Sequence, residues 1–281
     1  MNNVQAVRGE ALRALHQRAA IFVVPNPWDA GSARILAHLG FEALATTSAG
    51  LAFSLGRPDG VASVTRQETL ANAQCIVEAT PLPVTADLEN GYGREPEACA
   101  ETIRLAAATG LAGGSIEDTT GDPADPILPF GLAVERVRAA VMAARELPFP
   151  FTLTARAENL IYGRPDLGDT IHRLEAFAEA GADVLFAPGL RTAEDIGAVV
   201  RAVAPKPVNV VMGLGVSNFS LEQLAELGVR RVSLGSSLAR AAYGPFLHAA
   251  EEIRNKGTFT FAKDAVPYSV FNALFGEWVK K

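Results

Sequence analysis

The stretch Pro83-Val84-Thr85-Ala86-Asp87-Leu88-Glu89-Asn90-Gly91-Tyr92-Gly93 sets two carboxylates one residue apart at the end of a short apolar run. On an extended strand alternate residues share a side, so Asp87 and Glu89 are expected to face one way. Two unpaired carboxylates that close repel each other and call for a cation or a shared proton. A hard, oxygen-ligated ion such as Mg²⁺ satisfies them. Gly91 and Gly93 let the backbone turn sharply and approach a ligand closely. Taken alone, Asp-x-Glu reads more readily as a solvated strand end before a glycine turn. Two further runs end in charge, Ile116-Glu117-Asp118 and Ala155-Arg156-Ala157-Glu158. Asp118 and Glu158 suit either a site or simple pairing and helix capping.

The elements that must position these groups recur along the chain. Strands are expected at Ile21–Val24, Ala43–Thr47, Val84 onward, Gly114–Glu117, Phe151–Ala155, Val184–Phe186, Val208–Met212 and Arg231–Leu234. Each is followed by a helical pattern. Thr65 and Glu68 form a capping box, and Pro96 and Gly110 bracket one helix. Ser48-Ala49-Gly50 reads as the start of a long loop to Gly60, and Ser236 and Ser237 as caps of the helix after the eighth strand. The strands are short and apolar, as in a parallel sheet buried on both faces. Eight strand–helix units predict an α/β fold, a (β/α)8 TIM barrel over residues 1–255, with an extra helical segment at 256–281. Such barrels place their sites at the C-terminal ends of the strands. There this chain gathers Asp87, Glu89, Glu117 and Arg156, the composition of a Mg²⁺ site facing an anionic, oxygen-rich substrate.

Composition narrows the class. Of 281 residues 49% are hydrophobic, enough for a large core, and a net charge of −6 argues against a nucleic-acid surface. No apolar run is long enough to span a bilayer. The start, Met1 to Arg18, reads as a charged helix rather than a signal peptide, so a cytoplasmic setting is expected. Cys75 and Cys99 fall in helices with no metal or disulfide spacing and read as small buried packing residues. All four histidines also fall in helices, away from strand ends.

The order and strand placement of Asp87-x-Glu89-x-Gly91-Tyr92-Gly93, Ile116-Glu117-Asp118, Ala155-Arg156-Ala157-Glu158 and Thr47-Ser48-Ala49 with Leu55-Gly56-Arg57-Pro58-Asp59 resemble the isocitrate lyase/phosphoenolpyruvate mutase superfamily, from Val24 to about Gly244. The resemblance implies a Mg²⁺-dependent barrel, with Mn²⁺ as a substitute, that acts on small 2-oxo or 2-hydroxy acids through an enolate-like intermediate. By position it implies Asp87 as the direct metal ligand and Glu89 and Glu117 as ligands partly through water. Asp59 would order metal-bound water or its loop. Backbone N–H groups at Thr47, Ser48 and Ala49 would bind the substrate carboxylate, Arg156 would steady the enolate, and Asn209 would stand near the substrate.

The chain also departs from the pattern. Glu89 stands where the family commonly has Asp, and Pro188 where the lyase branch has Glu. The loop from Thr119 to Pro129 has no Cys, His or Lys. The cysteine-dependent lyase route and the phosphonate-forming route are therefore not expected. The expected activity is a C–C lyase or decarboxylase releasing pyruvate or a relative, with oxaloacetate decarboxylation attractive because it asks little of that loop. C–P cleavage of phosphonopyruvate and non-catalytic 2-oxo-acid binding are the alternatives. The tail, with Phe259, Phe261, Tyr268, Phe271, Leu274, Phe275 and Trp278, is apolar enough to need a cover. The resemblance implies a homotetramer, a dimer of dimers built through this C-terminal helix; packing on its own barrel is the other reading.

Overall fold

A computed structural model describes residues 3–213 and 219–279. Met1 and Asn2 of the expected opening helix, and Lys280 and Lys281 of the expected tail, lie outside the described residues. The strands are β1 (Phe22–Val24), β2 (Leu44–Ala45), β3 (Val84–Asp87), β4 (Gly113–Glu117), β5 (Thr152–Arg156), β6 (Val184–Phe186), β7 (Val208–Val211) and β8 (Arg231–Ser233). They form one parallel sheet in the order β1-β8-β7-β6-β5-β4-β3-β2. The remaining seam closes where the Ala45 N–H donates to the Pro25 carbonyl at 3.1 Å. The architecture is a (β/α)8 barrel.

Strand alternation decides which residues fill it. In β8, Val232 joins the main apolar layer between sheet and helices, while Arg231 and Ser233 line the interior. The outer layer is built by helical spacing. α4 (Arg66–Ala79) buries Ala73, Ile76 and Val77; α5 (Pro96–Ala108) buries Cys99, Ile103 and Ala106; α6 (Phe130–Arg145) buries Val137, Ala140 and Ala144; α8 (Ala193–Ala202) buries Ile196 and Val199; α9 (Leu221–Glu226) buries Leu224. The Thr65–Glu68 capping box forms, and Gly110 follows the end of α5 with φ +91°.

Three expectations need correction. Residues after β2 are not a long loop: α3 (Ser48–Ser54) starts at once, N-capped by the Thr47 hydroxyl accepting from the Gly50 N–H. Gly50 is required there, because a Cβ would fall 2.5 Å from the Thr47 methyl. Ser236 occupies the N-cap position of α10 (Ser237–Lys256) without a side-chain cap, and the Ser237 hydroxyl donates instead to the Gly213 carbonyl at 2.8 Å. Of the cysteines only Cys99 is buried; Cys75 is exposed.

At the other end of the chain, α1 (Asn3–Gln17) packs beneath the barrel and inserts Leu12. α10 ends at Gly257 in the left-handed conformation, and a short 3-10 turn, Thr260–Asp264, leads to α11 (Tyr268–Val279). Among α10 residues only Ala239 is buried. α11 touches α2 (Ala30–His38), with the Arg34 guanidinium 5.9 Å from the Trp278 ring. Phe246, Leu247, Phe259, Tyr268 and Phe271 remain exposed on the single chain.

Candidate active site at the barrel mouth

β3 stops at Asp87, and the chain then leaves extended geometry. Glu89, Gly91 and Tyr92 take φ of +47°, +76° and +59°. Asp87 and Glu89 are thus brought together by a left-handed turn, not by strand alternation as the spacing suggested. Left-handed backbone at two non-glycine residues is unusual and concentrates at functional sites. The turn is held from outside: Arg136 of α6, 1% exposed, donates to the carbonyls of Asn90, Gly93 and Arg94.

The centre of the mouth is Arg156, the last residue of β5. Register sets it beside Glu117 of β4 and Phe186 of β6. Its Nη1 lies 3.0 Å from Asp87 Oδ1, its Nη2 3.1 Å from Glu117 Oε2 and its Nε 2.8 Å from Glu158 Oε1. The guanidinium carbon stands 5.2 Å from the Phe186 ring centroid, an apolar floor that favours a cation. Burial works against its charge, but the three carboxylates outweigh burial and hold Arg156 protonated.

The carboxylates are supported one by one. Asp87 accepts from the Glu89 N–H at 3.2 Å and, at 3.4 Å, from the Ser48 N–H; its own N–H donates to Thr46 Oγ1. Glu117 accepts from the Thr119 hydroxyl at 2.7 Å. Asp59 is held by the Ser48 hydroxyl and the Gly60 N–H, and burial followed by the charge of Asp87 pushes it above the usual carboxylate range. Glu89 is pushed up to about 8, first by burial and then by Asp87, Glu117 and Asp59. The Tyr92 hydroxyl lies 2.7 Å from Thr69 Oγ1 and 3.4 Å from Glu89 Oε1.

Asp118 does not face the mouth. It accepts from the Glu158 N–H at 2.9 Å and pairs with Arg173 of α7 (Leu167–Glu179) at 3.0 Å, so it braces the turn that carries Glu158. Asn209 sits inside the barrel, 1% exposed, its Oδ1 accepting from Arg231 and its Nδ2 donating to Ser233. Thr47 is a helix cap, and Ser48 and Ala49 form the half-buried first turn of α3. The Thr119–Pro129 loop folds on itself as a hairpin, with the Thr120 N–H on the Pro126 carbonyl and Asp125 paired to Arg164. The residues that sequence reasoning passed over are Thr46, Arg136, Arg173 and Arg231. Of these only Arg231 carried a signal, a charge at an inward position of an apolar strand.

Asp87, Glu89 and Glu117 offer only hard oxygen donors, the set a Mg²⁺ or Mn²⁺ ion prefers. Burial first, and then the neighbouring carboxylates, raise Asp59 and Glu89, and a divalent cation would offset the second of these causes. The residues fit such an ion in kind. They are not drawn into a cage: among the described residues no group of three or more His, Cys, Asp or Glu side chains is arranged to hold a metal, because the Arg156 guanidinium stands between Asp87 and Glu117.

Below the acids lies a cavity of about 80 Å³, lined among others by Thr46, Asp87, Arg156, Asn209 and Arg231. A larger space, about 790 Å³, opens at the opposite end of the barrel around His16, Arg145 and Lys206. It is remote from the acid cluster, and in a barrel the chemistry belongs at the C-terminal face. Among the described residues no helix is long and apolar enough to cross a membrane.

Known proteins agree with this frame. The phosphoenolpyruvate phosphomutase family model matches residues 12–254. An uncharacterised protein of Mycobacterium tuberculosis is 33% identical over 85% of this chain and 87% of its own length. An oxaloacetate decarboxylase of Rhodopseudomonas palustris is 30% identical over 88% and 85%. A probable 2-methylisocitrate lyase of Corynebacterium glutamicum is 28% identical over 90% and 83%. Among solved structures, a lyase/mutase-type protein from Burkholderia cenocepacia superimposes with a TM-score of 0.94 at 58% identity, covering 98% of this chain and 97% of its own. Oxaloacetate acetylhydrolase with its product oxalate superimposes with a TM-score of 0.87 at 29% identity, covering 97% and 96%.

Proposed function

The chain belongs to the phosphoenolpyruvate phosphomutase family, within the isocitrate lyase/phosphoenolpyruvate mutase superfamily, and is a carbon–carbon lyase acting on a carboxylic acid; we propose that its substrate is a 2-oxo or 2-hydroxy acid and that it works with Mg²⁺. The observation that carries this reading is Arg156, bound by three carboxylates at the mouth of the barrel.

In the proposed mechanism Asp87, Glu89 and Glu117 are the residues that would hold the ion, and Asp59 would order water beside them. When bound, the ion supplies positive charge to the substrate oxygens. The carboxylate next to the oxo group lies against the first turn of α3, at Thr47, Ser48 and Ala49. Arg156 faces the 2-oxo oxygen. As the C–C bond breaks, its electron pair passes to that oxygen, and the fixed guanidinium stabilises the enolate without reorganising. With oxaloacetate the departing fragment is CO₂, and water returns a proton to the enolate carbon to give pyruvate. This route suits a Thr119–Pro129 loop that offers no Cys, His or Lys.

A substrate panel tests the reading. Oxaloacetate, methylisocitrate, isocitrate, 2,3-dimethylmalate and phosphonopyruvate are incubated with protein and Mg²⁺, and 2-oxo acid, CO₂ and phosphate are followed. Metal-dependent release of a 2-oxo acid is the expected result. Phosphate release would move the reading to C–P cleavage; tight binding with no turnover of any substrate would make the chain a 2-oxo-acid binder.

The exposed apolar faces of α10 and α11 support a second copy of the chain as their cover, in a tetramer built from dimers. Removing residues 258–281 should lower the number of chains per particle measured by light scattering; an unchanged oligomer contradicts this.

A further inference from the structure

Arg231 opens β8 and points into the barrel, 4% exposed. Its Nε donates to Asn209 Oδ1 at 2.8 Å and its Nη2 to Thr154 Oγ1 at 3.0 Å. Its Nη1 lies 3.5 Å from Nε2 of His16. The other ring nitrogen of His16 is 2.8 Å from the Leu12 carbonyl, which can only accept, so the proton sits there and Nε2 turns its lone pair to the arginine. All three partners are neutral. Among the described residues no carboxylate pairs with Arg231, and the charged group whose field reaches it is another cation, Arg156.

A buried charge is costly unless paired. Burial, reinforced by Arg156, pulls Arg231 down to about 9, so it stays cationic at neutral pH. Its charge is therefore unmatched among the described residues. The cavity of about 80 Å³ lies against Arg231 and Arg156 together and continues to Asp87 at the mouth. That space suits a carboxylate with a water molecule, not a whole diacid. Its walls add the hydroxyls of Thr46, Ser115 and Ser233.

We propose that this inner cavity is an anion subsite, in which Arg231 supplies the charge that binds one carboxylate-sized monoanion between itself and Arg156. Resting on the lyase reading above, the occupant is the distal carboxylate of the substrate, which makes the substrate class a dicarboxylate whose first carboxylate stays at the mouth. The same chemistry admits a small free carboxylate such as formate, and the experiment separates the two sources.

Calorimetric titrations with Mg²⁺ present compare malate with lactate, which replaces the distal carboxymethyl group by methyl, on wild type, Arg231→Met and Arg231→Lys. The expected result is malate binding at least tenfold tighter than lactate in wild type. Arg231→Met should erase that preference and leave lactate within twofold, while Arg231→Lys keeps part of it. A protein that distinguishes malate from lactate in neither affinity nor variant response, yet is thermally stabilised by formate in wild type and not in Arg231→Met, also supports the subsite, filled from solution. Equal weakening of malate and lactate, or no change in either with no formate effect, overturns it. Should Arg231→Met fail to fold, the malate-to-lactate ratio of Arg231→Lys decides alone: a ratio equal to wild type contradicts the proposal. Failure of the lyase reading shows itself separately, as absent turnover with the malate preference intact.

Discussion

Arg156 and Arg231 line the same cavity from β5 and β8, yet among the described residues one meets three carboxylates and the other none. The mouth carries more acid than its single arginine offsets; the interior carries a cation held by an amide, a hydroxyl and a neutral imidazole. The two imbalances have opposite sign and lie one above the other. A chain that needed only stability would pair Arg231 with one of the nearby acids, since unpaired buried charge costs free energy. Keeping them apart leaves the mouth ready for a cation and the interior ready for an anion, which is what a metal-assisted enzyme for a small acid requires.

The largest effect is expected at the mouth. Arg156→Gln should lower kcat by roughly 10²–10³-fold, the usual cost of losing a fixed donor to developing negative charge. Steady-state kinetics on the substrate identified by the panel check this; a change confined to KM would mean that Arg156 only binds. Next in size is the support of the acid-bearing turn. Arg136→Met leaves the carbonyls of Asn90, Gly93 and Arg94 without their buried donor. Stability in urea should fall by about 3 kcal/mol, from unsatisfied groups at about 1–3 kcal/mol each.

The interior responds to pH through His16. Burial, then the charge of Arg231, hold His16 at about 3, below its ordinary value of 6.5. The unfolded chain therefore takes up a proton below about 6.5 that the native state refuses. The stability that His16 contributes is complete above pH 6.5 and is lost as pH falls toward 3. Between pH 6.5 and 5 the loss should be about 2 kcal/mol. Urea titrations of wild type and His16→Gln across that range test it: the variant should lack this part of the slope, and equal slopes refute the assignment. The smallest effect serves as a control that touches neither region. Asp29 caps α2 through a capping box with Ser32, and Asp29→Ala should cost about 1 kcal/mol in stability with ligand binding unchanged.

Much of this frame was legible in the sequence, for physical reasons that differ by residue. The barrel followed from eight short apolar runs with helix caps between them, because a parallel sheet buried on both faces leaves that pattern. Asp87, Glu117 and Arg156 were found because each ends such a run. α3 was missed because Ser48-Ala49-Gly50 carries turn-like residues; its glycine answers the crowding of Thr47 and Trp28, a tertiary constraint. Glu89 was placed in the right company by the wrong geometry, since nothing local announces a left-handed non-glycine residue. The Asp118–Arg173 pair joins residues 55 positions apart and has no local signature. Arg231 was readable and overlooked: period-two alternation sets it and Ser233 inward, beside the outward Val232.

The most direct test of the acid cluster as a metal-assisted lyase site follows carbon-13-labelled oxaloacetate by NMR with Mg²⁺, wild type beside Asp87→Ala. Wild type should speed conversion to pyruvate and CO₂ well above the rate with Mg²⁺ alone, and both EDTA and Asp87→Ala should remove that gain. Acceleration that survives in Asp87→Ala, or is indifferent to EDTA, would contradict a metal-assisted lyase site built on these acids.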